Sequence, residues 1–192
     1  MRKSFVLHVS KRWLIVLLAL LTLMVAVCFA TEPVLRRIYP MRYAETVATM
    51  AERYAISPSL IYAIIFTESK FDRFALSSAD ARGLMQITGE TYQWVCQRMG
   101  EEFLEIDSLY DPYVNIQCGV ALIHLLQEKF DNTETVLAAY NAGQGRVNEW
   151  LQNPDYSLDG KTLTQIPYDE TANYVHRVIH TQEMYQKLYN IF

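Results

Sequence analysis

The group in this chain best suited to acid–base chemistry is Glu68, in the stretch "IIFTESKFDRFALSSADARGLMQI" that spans residues 64–87. Ile61, Ile64 and Ile65 precede it by seven, four and three residues, which puts all four on one face of a helix. A carboxyl at the end of an apolar stripe loses solvation, its charged form is disfavoured and its pKa rises. A carboxylic acid still protonated near neutral pH is what a general acid needs to protonate a leaving oxygen. The competing reading is a local cap or ion pair with Lys70 or Arg73. His176 and His180 share a helix face in an H-x-x-x-H spacing. A zinc-protease helix has glutamate straight after its first histidine; Arg177 stands there instead, so two surface histidines are the better reading. His124, in "ALIHLL", reads as a core histidine. Cys96 and Cys118 fit no metal spacing and are either a disulfide pair or two small buried hydrophobes.

The elements that must position Glu68 are helices. Tyr43, Val47, Met50, Ala51 and Tyr54 recur at helical spacing. Ser57-Pro58 is an N-cap followed by proline at the first helical position, and it starts the helix that carries Glu68. A further helix is expected from Glu90 to Met99, stopped by Gly100. Asp111-Pro112 opens another, with Ile116, Val120, Ile123 and Phe130 on its apolar face. "TETVLAAYNAG" ends on Gly143 as a C-cap. "GRVNEWLQ" follows, then a turn-rich loop, then a long helix from near Tyr168. No segment reads as a strand, so the expected class is all-α.

The chain has 192 residues and a formal net charge of -4, which fits one domain with a real core and argues against non-specific nucleic-acid binding. Arg2, Lys3, Lys11 and Arg12 precede an apolar run from Trp13 to Ala30. That is the pattern of a secretory signal, or of an N-terminal transmembrane anchor with its basic end left inside. The expected division is therefore residues 1–31 as signal or anchor, 32–40 as connector and 41–192 as the helical domain. Thirteen tyrosines and three tryptophans serve packing in the bland reading and sugar stacking in the sharper one.

Three blocks then carry a resemblance. "ESKFDRFALSSADARGLMQI", "AAYNAGQGRV" (138–147) and "IPYDETANYVHRV" (166–178) resemble, in the same order, the motifs of the bacterial lytic transglycosylases of the soluble (SLT) type. That family is lysozyme-like and related in fold to goose-type lysozyme. The likeness covers residues 40 to 190. It implies a compact lysozyme-like helical domain that cleaves the MurNAc-β-1,4-GlcNAc bond of peptidoglycan and leaves 1,6-anhydro-MurNAc ends.

By the same resemblance, Glu68 is the single catalytic acid and base. Ser77 lies near the reacting sugar, Gln86 lines the groove beside Glu68, and Met85 packs beneath it. Tyr140 stands close to Glu68, Asn141 holds the turn, and Tyr174 adds a hydroxyl to the same wall. No cofactor or metal is implied. The partners are glycan strands and, through the N-terminal helix, the membrane; the protein is expected to be an exported monomer.

The sequence departs from the family pattern at Asp80, where a glycine-like residue is usual, and at Thr88-Gly89, which replaces a methionine–proline. Ordinary glycosidases use two carboxylates. The candidates for a second are Asp72, beside Arg73 as a solvated ion pair, and Asp80 and Glu90 in polar loop surroundings. None is an obvious nucleophile. Two rivals stay open: a muramidase of the same fold, and a non-catalytic glycan-binding or scaffold domain.

Overall fold

In the computed structural model, residues 11–192 are described, apart from several side chains in the first helix. The chain divides after Pro40. The first unit contains α1, Lys11–Ile38, with Pro33 inside it. Trp13, Ile15, Leu17 and Leu20 on this helix are exposed. Among the described residues, no helix is long and apolar enough to cross a membrane, so the spanning anchor expected from the sequence is not found there. The basic start of the expected signal, residues 1–10, lies outside the described residues.

The second unit is built of helices: α2 (Ala44–Tyr54), α3 (Pro58–Ser69), α4 (Gly89–Met99), a 3-10 turn (Ile106–Tyr110), α5 (Pro112–Gln127), α6 (Thr133–Ala142), α7 (Gln144–Leu151) and α8 (Asp169–Tyr189). Extended pairing among the described residues is limited to two isolated bridges, Leu76 with Arg82 and Arg82 with Ile87. The capping signals explain the boundaries. Asp111 accepts hydrogen bonds from the Tyr113 and Val114 amides and Pro112 follows at the first turn of α5. Gly100 and Gly143 stop α4 and α6 with φ of 67° and 88°.

The core forms around α3 and α5. Every residue of α3 from Ser59 to Ile65 is buried, so the helix has no solvent face until its last turn. The expected apolar stripe is therefore an apolar cylinder. α8 lies along α3, the most extensive helix pairing in this unit. It stacks Tyr185 on Tyr62 with ring centroids 5.2 Å apart. Glu68 sits where this buried helix first meets solvent.

Candidate active site

The site starts from how α3 ends. Lys70 and Phe71 both take left-handed backbone, with φ of 53° and 66°, and turn the chain back immediately after Glu68. Non-glycine residues seldom adopt this conformation, and burial of the Phe71 ring near Tyr62 helps to hold it. Ser69 then ties the helix end to the following loop, donating to the Leu84 carbonyl at 2.8 Å. Glu68 itself is half-buried. Burial pushes its carboxyl up from 4.5 to about 7, against the opposing pull of the Tyr174 hydroxyl and the Arg177 charge.

Two tyrosines stand around that carboxyl. Tyr174, on α8, is buried, and its hydroxyl makes no hydrogen bond to another group among the described residues. It lies beside Glu68, near enough to favour the carboxylate. Tyr140, on α6, donates its hydroxyl to the Met85 carbonyl at 2.8 Å. Burial and the Glu68 charge raise both phenols well above their usual value, so both remain protonated donors. Met85 is fully buried and packs closely against Gly119 of α5.

The loop from Asp72 to Ile87 is built by its own polar groups. Gln86 donates through Nε2 to the Gly83 and Ala75 carbonyls, at 3.0 and 3.2 Å. Ser77 Oγ accepts from the Ala79 and Ala81 amides, at 3.2 and 3.1 Å. Asn141 bonds across to α8, its Oδ1 accepting from Thr171 at 2.9 Å, rather than closing its own turn. The structure thus gathers Glu68, Tyr140, Tyr174 and the Met85 carbonyl, while Ser77 and Gln86 brace the loop and Asn141 faces the junction of α6 and α8.

Two of the other candidate carboxylates have separate employment. Asp72 accepts from the Phe74 amide at 2.9 Å, an Asx turn in place of the expected pair with Arg73, whose guanidinium lies over the Phe74 ring. Asp80 has φ of 59°, which explains why glycine suits this position, and its carboxylate pairs with Arg82 at 3.0 Å. Thr88 accepts from the Thr91 amide as the N-cap of α4, so the replacement of methionine–proline leaves a good helix start. Glu90 is exposed.

His124 is half-exposed, 3.7 Å from Glu128, and is not the core histidine expected. His176 and His180 are exposed, and no metal-holding cluster occurs among the described residues. Cys96 and Cys118 are free and buried; burial raises both thiols.

Sequence reasoning missed three residues. Arg177 follows Tyr174 by one turn and is the charge that acts on Glu68. Ser69 adjoins Glu68, but its partner is fifteen residues away. Asn115, fully buried in α5, accepts from the Met85 amide at 2.7 Å and donates to the Arg82 and Leu109 carbonyls at 2.8 Å. A polar residue inside the apolar run of α5 was the available signal.

The chain is similar to known proteins in sequence and in fold. The family described as "Transglycosylase SLT domain" matches residues 45–162. A membrane-bound lytic murein transglycosylase C from Edwardsiella ictaluri is 32% identical over 173 residues, covering 77% of this chain and 47% of that protein. A soluble lytic murein transglycosylase from Salmonella typhimurium is 31% identical over 144 residues, covering 73% of this chain and 22% of the relative. The chain thus spans less than half the length of these relatives. The crystal structure of an inactive mutant of the lytic transglycosylase Slt from Pseudomonas aeruginosa superposes with a TM-score of 0.71 at 30% identity, covering 81% of this chain and 26% of that one. With this family matched over residues 45–162, more than half of its length, the chain belongs to the transglycosylase SLT domain family.

Proposed function

We propose that this protein is a peptidoglycan lytic transglycosylase that cuts the MurNAc-β-1,4-GlcNAc bond and leaves 1,6-anhydro-MurNAc ends. The observation that carries the reading is Glu68: a half-buried carboxyl held near pKa 7, at the point where an otherwise buried helix meets solvent. Such a group gives up a proton and takes one back around neutral pH.

In this mechanism Glu68 donates its proton to the glycosidic oxygen as the C1–O bond breaks, and the electron pair leaves with the oxygen. The N-acetyl carbonyl of the substrate supports the positive charge at C1. Glu68, now a carboxylate, takes the proton from the muramoyl 6-hydroxyl, whose oxygen bonds to C1. No water is consumed. Tyr174 steadies the carboxylate in the middle of the cycle, and Tyr140 shields the carboxyl from solvent while pinning the Met85 carbonyl. Gln86 and Ser77 shape the loop that forms the groove beside the acid, Met85 supports it from below, and Asn141 fixes α6 against α8.

The N-terminal run serves to export the enzyme, as a tether or as a cleaved signal, and puts it outside the cytoplasmic membrane. Support comes from the basic start and apolar run of the sequence and from the membrane-bound name of one relative.

Replacing Glu68 with Gln tests the reading against a glycan-binding scaffold. Solubilisation of purified sacculi should fall by at least about 100-fold, as for loss of a general acid, while co-sedimentation with sacculi persists. A scaffold would release nothing before or after the change.

A further inference from the structure

A small cavity lies between the end of α2, the second half of α4 and the first half of α5. It holds about 90 Å³ and is walled by Tyr54, Tyr92, Cys96, Val114, Cys118 and, from the segment after α4, Leu104. None of these six belongs to the group gathered around Glu68. Tyr54 is only 5% exposed, yet its hydroxyl makes no hydrogen bond among the described residues. Apart from burial and Arg53, the groups that act on this hydroxyl include Glu101 and Cys118, which also line the cavity. The unpaired donor therefore lies at the cavity wall, where an entering acceptor would satisfy it. Residues 101–107 border this cavity and are all exposed. Phe103, Leu104 and Ile106 are the apolar side chains among them, with Tyr113 exposed soon after. The stretch "EEFLEIDSLYD" (101–111) has five acidic residues and no basic one. Glu101 pairs with Arg53 at 2.9 Å, Asp107 with Arg82 at 2.7 Å, and Asp111 caps α5. Glu102 and Glu105, which bracket Phe103-Leu104, make no ion pair among the described residues.

We propose that this surface docks a basic segment of a partner protein, which seats one methionine side chain in the cavity beside Tyr54. Size, polarity and charge each narrow the occupant. The cavity is smaller than the ~150 Å³ that takes up benzene, so it suits a single slender side chain. Methionine is unbranched and polarizable, and its thioether both contacts aromatic rings and accepts a hydrogen bond, here from the Tyr54 hydroxyl. Lysine or arginine on either side of it would meet Glu102 and Glu105 in charge-assisted hydrogen bonds. Phe103 and Leu104 then close around the anchor and exclude water, the usual setting of an interface hot spot. The assignment goes beyond the glycan chemistry and does not depend on the role of Glu68.

The test titrates the intact chain into a fluorescently labelled synthetic peptide of lysine and leucine with one central methionine, read by anisotropy. Saturable binding is expected, weakened by added salt. Alanine in place of the peptide's methionine should cost roughly tenfold in affinity, the loss of one anchor. Leu104→Asp changes an exposed side chain at the cavity, and Ala121→Leu fills the cavity from within α5. Each should weaken binding by roughly tenfold, with far-UV circular dichroism verifying that the variant is folded. Glu102→Lys combined with Glu105→Lys should transfer preference to the same peptide with glutamate for lysine. A native chain that shows no saturable binding overturns the proposal. Equal affinity for the methionine and alanine peptides, unchanged in Leu104→Asp, also overturns it, since charge alone then attracts the peptide. The expected pattern from a chain that releases nothing from sacculi upholds the docking surface and counts only against the enzymatic reading.

Discussion

Opposing influences meet on the Glu68 carboxyl. Loss of solvation favours the acid, while the Tyr174 hydroxyl and the Arg177 charge favour the carboxylate, and burial prevails. The rise from 4.5 to about 7 corresponds to on the order of 3 kcal/mol between the two protonation states. Between those values the folded protein holds one more proton than the unfolded chain. The contribution is therefore fully present below about pH 4.5 and is lost as pH rises through about 7. Urea unfolding should show Glu68→Gln more stable than the native protein near pH 8, by on the order of 2 kcal/mol, and little different near pH 4. The proposed mechanism needs the same proton, so kcat/KM should also fall above about pH 7. Tyr174→Phe removes one influence that favours the carboxylate. Its alkaline limb should move to higher pH, and an unmoved or lowered limb would contradict the placement of that hydroxyl.

Elements do the positioning, and they differ in how visible they are in sequence. The starts of α3 and α5 are written locally, as Ser57-Pro58 and Asp111-Pro112, and the ends of α4 and α6 as Gly100 and Gly143. The loop after Glu68 is not written that way. It turns through Lys70, Phe71, Asp80 and Gln86 in left-handed conformations that non-glycine residues adopt only when distant contacts hold them. One such contact is Asn115, thirty residues from the Met85 amide that it receives. No local pattern announces a bond of that span. Gly83 adds a steric condition, because any side chain there would collide with Asn115 and the Leu109 carbonyl. Asn115→Ala orphans a buried N–H and two carbonyls and should cost about 3 kcal/mol in chemical denaturation. Loss of activity should accompany it at temperatures where the protein remains folded, because the Met85 carbonyl that anchors Tyr140 moves with the loop. A cost under about 1 kcal/mol would show that the loop is held by other means.

At the scale of the molecule, one carboxyl is served by α3, the following loop, α6 and α8, elements that span most of the second unit. The all-helical class was legible from periodicity and caps, and the family from three ordered motif blocks. The assembly of Tyr140, Tyr174 and Arg177 around Glu68 was only partly legible, since packing of α8 along α3 brings residues over a hundred positions apart together. In the proposed mechanism one acid serves, and two nearby carboxylates are engaged elsewhere, Asp72 in an Asx turn and Asp80 with Arg82. A single acid that serves twice leaves a chemical signature in the product. Mass spectrometry of the muropeptides released from purified peptidoglycan reads it directly, with Glu68→Gln run alongside. The account predicts 1,6-anhydro-muramoyl ends from the native chain and none from the variant. Reducing ends, heavier by one water, would contradict it and make the protein a hydrolase.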